Sequence, residues 1–372
     1  MFINQNKHTN HTFFMKLALA QAQKNLGNTK ENPSVGCVIT KNNSIISIGY
    51  TSINGRPHAE QNAINLSKTN LKNSELYVTL EPCSHYGKTP PCTKSLIEAG
   101  ISKVYIASKD PNPKINGNGI RELQNSGIQV NLLADYEGIK ELYQGFSKHI
   151  KTKLPFVTTK YAMSLDGKIA TKTGESKWIT GDSARFRTHA IRSESDAVMV
   201  GINTVLYDDP QLTSRDINGE PFANQPMRII VDSKGRTPPN SKIFNGPGQT
   251  LIVTSTNIKS IPEELKKSGA ELLNLESKGN GVDLENLLAL LGNRGVVNLL
   301  VEGGGRLAGS LFDLGLVDRV IAFIAPTIIG GINAPSPVEG IGVDSLSKSF
   351  NIMNLTTEKI GNDILVIGYP QA

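Results

Sequence analysis

The sequence predicts a two-domain α/β chain, and three observations carry that reading. Its 372 residues exceed the ~250 at which a single hydrophobic core usually stops growing. Helix-period and strand-period stretches alternate along most of the length, the pattern of layered α/β domains. Between two such series, Ser147 to Lys153 is polar and basic with no strand pattern, which sets expected domains at 1-150 and 151-372.

In the first part, Phe13 to Lys24 has helical spacing of apolar residues, and Val35 to Ile39 and Ser44 to Ile48 read as strands around a Lys41-Asn42-Asn43 turn. A helix from His58 to Leu66 follows Pro57. Strand Leu76 to Leu80, helix Pro91 to Ala99, strand Val104 to Ala107, helix Gly119 to Asn125 and strand Ile128 to Leu132 come next. Gly100 and Gly127 terminate the helices before them. Ile139, Leu142, Tyr143 and Phe146 share one further helical face.

In the second part, strands are expected at Phe156 to Ala162, Ala197 to Val200, Arg228 to Val231, Leu251 to Val253, Val296 to Val301 and Val320 to Ala325. Helices are expected near Ser183 to Arg192, with Asp182 as N-cap, and at Val282 to Leu291 and Leu307 to Leu314. Such uniformly apolar strands indicate a mostly parallel, buried sheet.

Composition narrows the function classes. With 38% hydrophobic and 19% charged residues the chain is not disordered. The 39 Lys and Arg against 33 Asp and Glu leave a net +6, too small an excess to indicate a nucleic-acid surface. Three cysteines, Cys37, Cys83 and Cys92, make no disulfide framework. Neither a leader pattern nor ~18 uninterrupted apolar residues appears, so the expected setting is cytoplasmic, without a membrane partner.

The sharpest local signal is His58-Ala59-Glu60, then Pro82-Cys83, then Cys92. One imidazole and two thiolates suit tetrahedral zinc, with a fourth place left for water. Glu60, not needed as a ligand, suits proton transfer, the division of labour of zinc-dependent base deaminases. His58 and Cys92 sit at expected helix starts, and a helix N-terminus favours thiolate. The eight-residue gap between the cysteines reads as a substrate loop whose His85 and Lys88 suit an anionic ligand. The competing readings are ordinary buried thiols, or a closed structural site with Cys37 as fourth ligand, although Cys37 reads as strand core. Asn32 before Pro33 could read a ring carbonyl and amine or cap a turn, and Asp110-Pro111-Asn112-Pro113 is a ligand loop or a plain turn.

A second set lies beyond the linker. Lys160 in a buried strand needs compensation or a polar cleft, and Thr180 follows Trp178-Ile179 ahead of a helix. Gly201 to Val205 follows a strand and permits backbone approach to a dinucleotide, or is a tight turn. Asp208-Asp209-Pro210 and Arg215 supply carboxylates and a cation. Glu302-Gly303-Gly304-Gly305 after an apolar strand permits close approach to a diphosphate, with Glu302 suited to ribose or substrate.

In order along about the entire chain, these motifs resemble the family of bifunctional riboflavin-biosynthesis enzymes. These join a diaminohydroxyphosphoribosylaminopyrimidine deaminase to a 5-amino-6-(5-phosphoribosylamino)uracil reductase. The carriers are Asn32 to Cys37, His58-Ala59-Glu60, Pro82-Cys83 to Pro91-Cys92, Asp110 to Pro113, Ser164 to Ile169, Lys177 to Thr180, Asp208 to Pro210, Pro238-Pro239 and Val301 to Gly305. The extended cysteine spacing with Thr89-Pro90-Pro91 is more specific than a generic deaminase motif.

The resemblance implies an N-terminal cytidine-deaminase-like three-layer domain and a C-terminal dihydrofolate-reductase-like domain. It implies one Zn2+ per deaminase domain, NADPH, and phosphorylated pyrimidine substrates; a homo-oligomer is compatible with all of this. It places His58, Cys83 and Cys92 on zinc and gives Glu60 the catalytic proton shuttle. Asn32, Thr51, His85, Lys88, Asp110 and Asn112 would line the deaminase pocket. Lys160, Thr180, Asp208, Arg215 and Glu302 would contact reductase substrate, and Gly201, Thr204, Ser233, Gly303, Gly304 and Gly305 the cofactor. One departure stands out: some members carry histidine where this chain has Thr51, whose hydroxyl hydrogen-bonds but carries no charge. The rival readings are another nucleotide or tRNA base deaminase fused to an unrelated domain, and a zinc-stabilised binding module.

Overall fold

The computed structural model describes residues 3–87, 89–113, 115–133, 136, 138–256, 263–278 and 281–371. It divides into two compact units, Met1–Lys153 and Leu154–Ala372. The first contains α1 (Ile3–Gln23), β1 (Gly36–Lys41), β2 (Ser44–Tyr50), α2 (Ala59–Leu66), β3 (Glu75–Val78), α3 (Cys92–Glu98), β4 (Lys103–Ile106), α4 (Asn118–Asn125), β5 (Gln129–Leu132) and α5 (Ile139–Thr152). Its sheet order is β2-β1-β3-β4-β5. The β1 strand runs antiparallel to both neighbours, whereas β3, β4 and β5 are parallel.

Two glycines show how this unit is layered. A Cβ on Gly36 would lie 2.0 Å from the Ala18 carbonyl of α1, and one on Gly49 would lie 2.0 Å from the Ala59 carbonyl of α2. Gly49 is the cross-strand partner of Cys37, the residue after Gly36. Cross-strand partners share a face and successive residues alternate, so α1 and α2 cover opposite faces. The result is helix, sheet, helix. Only glycine allows either helix backbone so near the strand.

The second unit contains β6 (Phe156–Ser164), α6 (Asp182–Ser193), β7 (Ala197–Gly201), α7 (Ile202–Asp208), β8 (Met227–Val231), β9 (Thr250–Ser255), α8 (Glu263–Lys266), β10 (Glu271–Leu275), β11 (Ser277–Lys278), β12 (Gly281–Val282) and α9 (Leu284–Asn293). It continues with β13 (Asn298–Glu302), α10 (Gly305–Asp313), β14 (Arg319–Ala325), β15 (Asn351–Ile360) and β16 (Asp363–Gln371). Nine strands form one sheet in the order β10-β9-β8-β7-β13-β6-β14-β16-β15. It is parallel from β10 to β14, and the last two strands are antiparallel. Met199, Ile229 and Val253 enter one core cluster, while Val198, Val200, Ile230 and Ile252 enter another. That alternation buries both faces, which is why these strands read as continuous apolar runs.

Three local expectations change. The α5 helix runs through Thr152, so the basic stretch is helical and the chain turns at Lys153, with φ 62°. Asp182 is the first helical residue of α6 and Gly181 is its N-cap. Gly201 to Val205, read as a backbone approach to a dinucleotide or a tight turn, leads directly into the helix α7, and the β15–β16 hairpin was not anticipated. The β15 strand is exposed at every residue but Ile360, so no burial pattern marks it.

Candidate active sites

His58 is the N-cap of α2, Cys83 follows the segment leaving β3, and Cys92 opens α3. Their ligand atoms lie within 4.8 Å of one another. His58 Nδ1 is 3.3 Å from Cys92 Sγ and 3.6 Å from Cys83 Sγ. Tetrahedral zinc with ordinary Zn–S and Zn–N bonds has N-to-S edges of about 3.5 Å. The donor set therefore fits the ion in both chemistry and spacing. The Cys92 backbone N–H donates to Cys83 Sγ at 3.4 Å. A hydrogen bond from the Cys92 thiol, with help from His58, brings Cys83 down to about 4, while that same bond and burial push Cys92 up. Cys37 lies fully buried in β1 and outside this group.

Glu60 sits in the first turn of α2 and is 3% exposed. Burial raises its carboxyl, with His58 opposing. A carboxylate that accepts a proton readily suits proton exchange better than permanent ion pairing.

Asn32 packs on the connection between β2 and α2: a Cβ on Gly55 would lie 2.3 Å from Asn32 Nδ2. His85 is exposed on the loop between the cysteines, and Lys88 lies outside the described residues. Asp110 is 5% exposed. Burial pushes its carboxyl up to about 6, and it is near enough to Cys83 and His85 to feel their charges. It accepts from the Asn112 N–H at 2.8 Å, so the two residues form one turn beside the metal-ligand group. Thr51 does not join them. It is 1% exposed, and its hydroxyl accepts from the Val35 N–H at 2.9 Å, which ties β2 to the start of β1.

Sequence reasoning missed Glu81. Its carboxylate accepts from the backbone N–H groups of Asp110, Gly117 and Ile120 at 3.3, 3.0 and 3.2 Å. An acid ending an apolar strand beside Pro82-Cys83 was the available signal. A Cβ on Gly119 would lie 2.1 Å from the Pro82 carbonyl, so the Asp110 loop and the Cys83 segment are packed together.

In the second unit, parallel pairing sets Lys160 of β6 opposite Glu302 of β13. Lys160 Nζ is 3.8 Å from Glu302 Oε2. Arg192 of α6, also missed, makes a two-pronged contact with Glu302: Nε to Oε1 at 2.5 Å and Nη2 to Oε2 at 3.0 Å. Burial opposes ionisation of Glu302, but Arg192 and Lys160 prevail and hold it at about 2. The carboxylate expected at ribose or substrate is thus committed to two cations. Arg192 Nη1 and His189 Nδ1 also reach the Thr213 carbonyl, at 3.1 and 3.0 Å, and Arg215 Nε donates to Thr213 Oγ1 at 2.8 Å.

Asp208 ends α7 and accepts from Ser176 Oγ at 2.6 Å. Asp209, with φ 41°, accepts instead from the Lys242 N–H at 2.8 Å. Thr180 is 9% exposed, and its carbonyl accepts from Arg185, whose guanidinium lies 4.6 Å from the Trp178 ring centroid.

Gly303 and Gly304 have φ of 67° and 78°, and Cβ atoms there would meet Thr204 Oγ1 at 3.3 and 3.2 Å. A Cβ on Gly201 would meet Leu307 of α10 at 3.7 Å. Gly201, Thr204, Gly303 and Gly304 therefore converge, and Ser233 follows the end of β8 on the same carboxyl edge of the sheet, where α/β ligands bind. Gly305 differs. It is buried, and a Cβ there would lie 2.3 Å from the Ser336 carbonyl, so its lack of a side chain serves packing rather than ligand approach.

Residues 8–108 match the model of the cytidine and deoxycytidylate deaminase zinc-binding region, and residues 155–366 match the RibD C-terminal domain. The chain is 43% identical to riboflavin biosynthesis protein RibD of Actinobacillus pleuropneumoniae, over 95% of this chain and 93% of that one. It is 40% identical to that of Aquifex aeolicus, over 95% and 96%. Among solved structures, Acinetobacter baumannii RibD superposes with a TM-score of 0.84 at 35% identity, covering 98% of this chain and 99% of the other. The diaminohydroxyphosphoribosylaminopyrimidine deaminase/5-amino-6-(5-phosphoribosylamino)uracil reductase of Thermotoga maritima gives 0.83 at 36%, covering 98% and 100%. The match through residues 155–366 leaves no room for an unrelated second domain or a mere binding module.

Proposed function

The chain belongs to the RibD family, and on that premise we infer that it catalyses two successive steps of riboflavin biosynthesis. The first is deamination of 2,5-diamino-6-(5-phosphoribosylamino)pyrimidin-4(3H)-one. The second is reduction of the ribosyl group of 5-amino-6-(5-phosphoribosylamino)uracil to the ribitylamino product. The observation that carries the reading is the gathering of His58, Cys83 and Cys92 beside buried Glu60, in a chain whose second part matches the reductase domain. We assign deamination to 1-150 and reduction to 151-372.

When bound, zinc supplies a water acidified to near-neutral pKa, and NADPH supplies hydride. His58, Cys83 and Cys92 would hold the metal. Glu60 would carry two protons in turn: one from the attacking water to the ring nitrogen, then one from the newly formed hydroxyl to the amine, which departs as ammonia while the carbonyl forms. Asn32, His85, Lys88, Asp110 and Asn112 orient the pyrimidine and its phosphoribosyl arm; the inward-facing Thr51 hydroxyl removes that residue from the set. In the reductase, Lys160 and Arg215 supply positive charge to the phosphorylated substrate, with Thr180 and Asp208 holding its polar groups. Glu302 keeps Lys160 and Arg192 in place. Gly201, Thr204, Ser233, Gly303 and Gly304 form the cofactor wall.

We further infer a cytoplasmic enzyme whose partners are small phosphorylated pyrimidines, with neither nucleic acid nor membrane among them. The placement of Cys83 and Cys92 as metal ligands rather than as a disulfide, and the modest net charge of +6, support this. The purified full chain should release ammonia from the diaminopyrimidine and consume NADPH once the deaminated product is supplied. Chelation should stop only the first step. Ammonia release unaffected by complete metal removal would overturn the assignment.

A further inference from the structure

We propose that Arg56 is the residue through which the deaminase unit reads the phosphate of its substrate, an inference that rests on the deaminase reading above. Arg56 lies on the connection between β2 and α2, one residue after Gly55 and two before His58. Gly55 has φ 84° and abuts the Asn32 side chain. The guanidinium points to the loop between the two cysteines: Nη1 donates to Thr89 Oγ1 at 2.5 Å, and Nη2 lies 3.3 Å from where a Gly87 Cβ would be. The residue is thus bracketed by Asn32, the cysteine loop and a metal ligand, at the rim of the proposed pocket.

Its base is firmly held. The Ser52 N–H donates to the Pro57 carbonyl at 3.0 Å, and the Asn54 N–H to the Asn28 carbonyl at 2.8 Å. Asn62 Nδ2 donates to the Tyr50 carbonyl and to Ser52 Oγ, at 2.7 and 2.8 Å. Its charge, in contrast, is uncommitted. Among the described residues no carboxylate pairs with Arg56, and Thr89 engages one prong of a fork with five donors. A half-buried guanidinium with open prongs is suited to two-pronged recognition of phosphate.

Thr51, on the same connection, contributes no charge to the pocket. It is inward and neutral, with its hydroxyl spent on Val35. Arg56 supplies the cation at that edge of the pocket.

The test compares deamination of the phosphorylated substrate with that of its dephosphorylated counterpart, in the full chain, using Arg56→Ala and Arg56→Lys. Metal content and reduction of supplied product serve as folding controls. For Arg56→Ala, the KM for the phosphorylated substrate should rise at least about tenfold, as expected for loss of a charge-assisted contact. The preference for phosphate should shrink by the same factor, and Arg56→Lys should recover part of it. Equal losses on both substrates would mean that Arg56 only orders the loop and would overturn the proposal, as would an unchanged preference. A wild-type chain that deaminates neither substrate would instead overturn the deaminase reading itself.

Discussion

Replacing Glu302 by Gln removes the one charge that two buried cations share, and the structure sets the size of the effect. The side chains of Glu302, Lys160 and Arg192 are only 8%, 13% and 14% exposed, so solvent screens them little. A carboxyl held at about 2 against its ordinary 4.5 contributes roughly 3 kcal/mol of stability. Stranding a partner in a buried ion pair costs ~3–5 kcal/mol, which agrees. Because the folded value is the lower one, the contribution is complete above pH 4.5 and fades as pH falls toward 2. Roughly 2 of the 3 kcal/mol should be gone at pH 3.

Urea unfolding followed through Trp178, the sole tryptophan and a member of the second unit, reads this directly. Glu302→Gln should lower the unfolding free energy by roughly 3 kcal/mol at pH 7, and the gap to wild type should narrow steadily in acid. A variant within about 0.5 kcal/mol of wild type at pH 7, or a gap constant down to pH 3, would refute the argument that the two cations lean on this carboxylate.

Three further outcomes follow from the same geometry. Glu60→Gln should retain metal but lower the deamination kcat by about 10²–10⁴-fold; ordinary turnover would reject its proton-transfer role. Asp208→Ala, which also frees the Ser176 hydroxyl, should impair reduction and spare deamination, so unchanged reductase kinetics would count against the assignment. Gly119→Ala drives a Cβ to 2.1 Å from the Pro82 carbonyl. It should destabilise the first unit by ~1–3 kcal/mol and reduce deaminase activity, readable by circular dichroism and ammonia release.

The sequence by itself marked His58, Cys83 and Cys92 as one group, Glu60 beside them, and the order of most helices and strands. Their signals are local: imidazole, thiol and carboxylate chemistry at short spacings, and apolar periodicity within single elements. It also carried the glycine turn after β13. What it could not supply was anything that depends on which distant backbones meet. Arg192 lies 110 residues from Glu302, and nothing in either neighbourhood announces the pair; β6, β13 and α6 must first be packed. Thr51 and Gly305 had the right residue type beside the right motif, yet the fold turns one toward Val35 and presses the other against Ser336. The β15 strand escaped for the opposite reason: an exposed edge buries no face, so no hydrophobic period records it. Chemistry is written in side chains, whereas its direction is set by tertiary contacts, because a buried polar group must take whatever partner the packed backbone brings within reach.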